Sequence, residues 1–566
     1  MDLEGLIAAA KGDRPADLVL ANARIVNTLS GEIEDGSVAV YRGYVAGIGD
    51  YRHAGRTVDL RGRYLAPGLI DGHVHVESSM LHPAEYARAV VPRGVSAVVT
   101  DLHEIANVAG LKGIRYLMES TRTLPLDFYF MAPSCVPATD LETSGAELGP
   151  EELRIALRWR NVIGLGEVMN FPGVLHGDSQ VMSKIRNAGG RPIDGHAPGL
   201  GGKELNAYIA AGIGSDHECT RLEEGREKLR RGMHLMIREG SSERNLDELL
   251  PLVDDRTYKR CFFVVDDRTC ADLLREGDVD AVVRKAIGRG LDPIRAIQMA
   301  TINTAEYFGL ERVGAVAPGY VADFVVIDDL LKLSADMVFH RGKLVAEGGK
   351  ALFRAVQHTE PEISRSVHIK PFGIEVLKMP PAMKALPIIE IVPGQIVTRK
   401  LQAEPKVEGG CVVADTERDI LKLVVVERHT ASGNIGLGLV KGFGLKKGAL
   451  GSSIAHDSHN VVVVGTNDHD IFAAVKEIER LQGGLVAVAG GRVQASLALP
   501  VAGLLSEEPL EAVVARLEEL QRVAINLGCV LPSPFATLSF LALPVIPELR
   551  LSDKGLVDVA AFKLLR

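Results

Sequence analysis

His73 and His75 stand two residues apart in IDGHVHVES, residues 70–78. In an extended strand, positions i and i+2 project from the same face, so both imidazoles are offered in one direction and a single cation can take them. Further donors close other short apolar runs. Glu167 ends NVIGLGEV, His196 ends RPIDGH, His217 lies in GIGSDHE, and Asp266 and Asp267 end KRCFFVVDD. Any one of these is an ordinary polar residue at a strand terminus, whereas their recurrence from one strand end to the next is what a metal centre requires. Two divalent ions about 3.5–4 Å apart repel, so a shared site needs an anionic bridge among neutral imidazoles. Glu167 is the expected bridge. The donors are nitrogen and oxygen without thiolate, which suits Mn(II), Fe(II) or Zn(II).

These positions need a scaffold that gathers strand ends. Eight strand-like runs occur from about residue 66 to 310, the first beginning at Tyr64: YLAPGLIDGHVHV, VSAVVTD, LDFYFMAP, NVIGLGEV, RPIDGHA, AGIGSDHE, HLMIREG and KRCFFVVDD, separated by helix-like stretches. The count, the alternation and the length, close to the ~250 residues of a (β/α)8 barrel, predict an α/β fold of the TIM-like barrel type with its site at the C-terminal strand ends. Residues 1–65 and 311–365 carry short alternating segments punctuated by glycine and read as one small β-sandwich domain interrupted by the barrel. Residues 366–566 have their own strands and helices and read as a C-terminal α+β domain.

The 566 residues are 46% hydrophobic and carry a net charge of −9, which excludes a disordered chain and a basic nucleic-acid or membrane-surface binder. The acidic start and the lack of any run near ~18 apolar residues predict a cytoplasmic protein without a signal peptide or membrane span. Six scattered cysteines without a CxxC pair read as free thiols.

The ordered set of donors resembles the amidohydrolase superfamily: HxH on strand 1, an acidic bridge on strand 4, histidines on strands 5 and 6, and an aspartate on strand 8. Hydantoinases and dihydroorotases in that superfamily usually bridge with a carboxylated lysine, and Glu167 at this position disfavours cyclic amide hydrolases. Closer similarity comes from HVHVESSML (73–81), DLHEIANV (101–108), GEVMN (166–170), DGHAPGL (194–200), GSDHE (214–218), VVDDRT (264–269) and the stretch 426–471. Together these are similar to the adenine deaminases, nearly end to end. Leu102 departs from the proline common there before HEIANV, without removing a polar group.

The resemblance implies a binuclear centre of His73, His75, Glu167, His196, His217 and Asp266, holding Mn(II) or Fe(II) or else Zn(II), and hydrolysis of adenine to hypoxanthine and ammonia by metal-activated water. Asp266 is expected to carry the proton towards the leaving amine, with Asp267 the competing assignment. Glu77, Asp101, His103 and Glu104 follow strands 1 and 2 on the same barrel face and are candidates for protonating or hydrogen-bonding the ring; a clustered acid can stay neutral. The C-terminal domain is the expected cap, bringing His456, His459 or Asn460 to the substrate, with Glu104 beside them. The expected partners are adenine and further copies of the chain. The competing readings are another metal-dependent amidohydrolase acting on a different aminopurine or an amide, and a scaffold without catalysis.

Overall fold

The computed structural model describes residues 2–51, 53–381 and 385–565. Its centre is a ring of eight parallel strands: β1 (Leu69–His75), β2 (Val95–Asp101), β3 (Asp127–Ala132), β4 (Val162–Val168), β5 (Ile193–Gly195), β6 (Ser215–Asp216), β7 (His234–Arg238) and β8 (Cys261–Val264, resumed at Asp266–Asp267). Strands β1 to β5 form one parallel run and β6 to β8 another. The Gly214 N–H bonds to Ile193 O at 2.9 Å at the first join. At the second, Asp266 pairs with Val74 and Asp267 with His75, which closes a TIM-like barrel. Helices such as His103–Thr121 and Leu222–Arg230 follow the strands and cover them, so β1 and β2 are buried at every position, β1 including Asp71, His73 and His75. Inside, Val99, Met131, Met236, Phe262, Val264 and Phe308 pack into one cluster. The barrel is filled at that level, and the polar residues collect at the C-terminal strand ends.

The run YLAPGLIDGHVHV is two strands. Tyr64–Pro67 pairs antiparallel with Phe324–Ile327 in a nine-stranded sheet built from both flanking segments, and β1 starts only at Leu69. Gly68 makes the break: its N–H bonds to Asp323 O, and a Cβ there would meet the Ser96 side chain at 2.4 Å. After residue 385 the chain forms an eight-stranded sheet from Leu386–Ile391 to Arg492–Ala498, with helices Asp468–Leu481, Leu510–Asn526 and Pro534–Phe540. This region is tied to the barrel mouth. Ser506 N–H bonds to Met80 O at 2.8 Å, Leu510 N–H bonds to Glu85 at 3.1 Å, and the Asp553 carboxylate takes the Thr143 N–H and hydroxyl at 2.9 and 2.7 Å. The six cysteines are free, and no helix among the described residues is long and apolar enough to cross a membrane.

Where β5 meets β6, a Cβ on Gly195 would lie 2.3 Å from Ser215 O, and the backbone at that point has no room to retreat. Gly195→Ala is therefore expected to destabilise the barrel by about 1–3 kcal/mol, as overpacking does. The check is the midpoint of the barrel transition in urea. An unchanged midpoint would show that this join does not limit stability.

Candidate metal centre

Glu167 closes β4 and is 3% exposed, with its two oxygens serving different neighbours. Oε1 lies 3.2 Å from His75 Nε2 and 3.8 Å from His73 Nε2, while Oε2 lies 2.5 Å from His196 Nδ1 and 3.4 Å from His217 Nε2. Asp266 adds Oδ1, 3.1 Å from His75 Nε2 and 3.5 Å from His73 Nε2, and also lies within ligand reach of His217. One carboxylate thus spans two donor sets, His73–His75–Asp266 and His196–His217. The proposed six ligands come together at one site, buried except for the partly exposed His196.

The donors are unsatisfied in the way a cation would satisfy. Both His73 nitrogens and His217 Nδ1 are buried without a hydrogen-bond partner. Burial pushes His73 below the ordinary imidazole range, which keeps it neutral and able to ligate. Burial opposes charge on Glu167 as well, but His196 and the facing imidazoles hold its carboxyl well below the usual range. His196, despite burial, is pushed up to about 9 by Glu218 and Glu167. A divalent cation would displace that proton, as metal binding to histidine does.

A second layer fixes these groups. Asp101, at the end of β2, accepts the Glu167 N–H at 2.9 Å and the His103 N–H at 3.2 Å, and its carbonyl lies 3.1 Å from His75 Nδ1, leaving Nε2 directed inward. Asp71 accepts the His73 N–H at 3.1 Å. Arg238, from β7, donates to Asp266 Oδ2 at 2.5 Å and to Glu218. Asp267 turns away from the centre and accepts a hydrogen bond from Ser78.

Beside the centre lies a cavity of about 660 Å³ with Glu77, Ser78, Glu104, Asp267, His456 and His459 in its wall. Glu77 stands in the short turn after β1; burial pushes its carboxyl up to about 7, and Oε2 has no partner while Oε1 accepts the Ile105 N–H. His103 and Glu104 open the helix after β2. Glu104 takes His456 Nδ1 on Oε1 at 2.6 Å and His459 Nε2 on Oε2, so the C-terminal histidines reach the barrel mouth through it. The His456 ring stacks on Phe540 at 4.8 Å. Asn460 does not join them: it is fully buried, with its amide donating to Thr143 O and accepting the Arg428 N–H.

Two family models match the chain, the amidohydrolase family over residues 64–345 and the adenine deaminase C-terminal domain over residues 395–563. A curated relative named adenine deaminase from Dehalococcoides mccartyi is 60% identical across 100% of this chain and 99% of its own length. Adenine deaminase 2 of Carboxydothermus hydrogenoformans is 52% identical over 99% of each chain. The chain belongs to the adenine deaminase family. A further relative so named, from Kosmotoga olearia, is 46% identical over 99% of this chain and 98% of its own. The part of the chain matching the family's C-terminal domain includes the residues that contact Glu104, so both matched regions contribute to the cavity wall.

Arg238 and Glu218 belong to this site and carry no sequence signal of their own. Glu218 follows His217 within a motif noted for its histidine, and Arg238 ends a strand directly after the apolar Leu235, Met236 and Ile237. Gly166 is a third such position, since a Cβ there would fall 1.9 Å from Asp101 Oδ2. Gly166→Ala is expected to displace the Asp101 carboxylate and to lower metal affinity about 10–100-fold, as loss of an outer-shell partner does. Competition with a chelator measures this; wild-type affinity in the variant would remove Asp101 from the support of the centre.

Proposed function

We propose that the protein hydrolyses adenine to hypoxanthine and ammonia at this centre. The observation that carries the reading is Glu167, with one oxygen facing each imidazole pair, beside a cavity whose wall includes His456 and His459. The names of relatives at 46–60% identity over the whole chain support it. His73, His75, Asp266, His196, His217 and Glu167 would hold a pair of divalent ions, Mn(II) or Fe(II) before Zn(II), in keeping with their nitrogen and oxygen donors. When bound, such ions lower the pKa of water towards ~7 and supply the nucleophile at neutral pH.

The side chains divide the remaining work. Asp266, oriented by Arg238, would accept the proton of the attacking water and pass it to the departing amine. Attack places negative charge in the ring, and Glu77, with a pKa raised to about 7 by burial, has the neutral form needed to donate to a ring nitrogen. His103, between Asp101, Glu104 and Glu167, supports this side electrostatically. Glu104 clamps His456 and His459 into the cavity wall, and Phe540 backs His456 with an apolar face. In this reading the segment from Leu69 to about residue 310 is the catalytic barrel, the two flanking segments form a small β domain, and 366–566 is a cap; free cysteines fit a cytoplasmic enzyme.

The test is turnover of the metal-loaded protein on adenine, adenosine and a panel of amides, following ammonia and the purine product. Equimolar ammonia and hypoxanthine from adenine is expected; inactivity on adenine with hydrolysis of an amide would overturn the assignment.

Asp266 and Asp267 separate by their surroundings. Asp266→Asn is expected to lower kcat by at least the ~10²–10⁴ typical of a lost proton-transfer group, and Asp267→Asn by much less. Steady-state kinetics on variants of equal metal content decides between them, and the reverse order would move the proton-transfer role to Asp267.

A further inference from the structure

A second group of donors lies next to the centre and is not consumed by it. His103, Glu104 and Asp457 are all buried, and each offers a ligand atom within 4.8 Å of the other two. Two of them come from the helix after β2 and one from the C-terminal region, so the group forms only when the two parts meet. His103 faces both ways, with Nδ1 3.5 Å from Glu167 Oε1 and Nε2 3.6 Å from Glu104 Oε1.

Glu104 is paired with His456 and His459, whereas Asp457 keeps an oxygen that nothing satisfies. Asp457 Oδ2 is buried without a hydrogen-bond partner, and the charge of Asp457 acts on the buried Glu142 carboxyl nearby. Burial pushes Asp457 up to about 6 and Glu142 well above the carboxylate range. Unpaired buried carboxyl groups are costly, and a cation relieves that cost directly. Glu104 is not exhausted by His456 and His459, because each carboxylate oxygen has more than one lone pair.

We propose that a further divalent cation binds between His103, Glu104 and Asp457, separate from the pair at Glu167 and held jointly by the barrel and the C-terminal region. One imidazole nitrogen and two carboxylates suit Mn(II), Fe(II) or Zn(II). The ion neutralises the buried acids at the junction and fastens the cap to the barrel mouth, so that closure of the cavity depends on metal at a position outside the catalytic pair.

The experiment uses the full chain, stripped with chelator, reloaded with Mn(II) and desalted, then crystallised for anomalous diffraction at the manganese edge, with metal analysis of the same sample. Wild type is expected to show density among His103, Glu104 and Asp457 in addition to that at Glu167. Asp457→Asn is expected to lose this density and about one equivalent of Mn(II) while keeping the density at Glu167, since a lost carboxylate ligand weakens a site of so few donors. Fully loaded wild type without density at this position overturns the proposal, as does unchanged occupancy in Asp457→Asn. If the variant does not fold, the wild-type map alone decides. Density only at Glu167, with adenine turned over, would overturn this inference and leave the proposed function standing.

Discussion

The arrangement depends on one buried carboxylate, Glu167, set among imidazoles. Glu167 is nearly inaccessible to water, and its charge survives burial because His196, His217 and His75 face its oxygens. Those histidines come from β1 and from the ends of β5 and β6. The site therefore requires the barrel to be closed and in register before any ligand is placed. The glycines follow from the same demand: Gly166 leaves room for Asp101 against β4, and Gly195 lets β5 and β6 approach. Rigid strand ends of this kind hold ligands more accurately than loops do.

Around the hub, charge is balanced in layers. Arg238 ties Asp266 to Glu218, Asp101 orders Glu167 and His75, and Asp71 supports His73. Further out, Glu104 carries the balance across to the C-terminal region through His456 and His459. A small flat ring offers few handles, so its discrimination depends on walls and donors outside the metal ligands. The C-terminal region supplies part of that wall, with Phe540 behind His456 as an aromatic face in a chain of only 5% aromatics.

Much of this is legible in the sequence because it follows short-range rules. The period of two in HVH fixes a common face, and apolar runs ending in His, Glu or Asp mark barrel strands whose polar ends converge. What depends on tertiary pairing is not legible. Arg238 has no periodic signature as the clamp of Asp266, and nothing local tells that Glu104 meets residues 352 and 355 positions later in the chain. Asn460 was a reasonable substrate contact by residue type, yet an amide serves backbone groups equally well, and here it joins Thr143 to Arg428. The strand from Tyr64 to His75 breaks at Gly68 because two sheets compete for it, a choice settled by Ser96 and Asp323 rather than by local pattern.

The central claim is that Glu167 joins two metal positions. Anomalous diffraction from Mn(II)-loaded crystals of the Glu167→Gln variant tests it most directly, because the amide keeps the shape of the side chain and removes its charge. The expected map shows reduced occupancy on both sides of residue 167, with barrel and cavity unchanged. Two fully occupied positions flanking the glutamine would contradict the account.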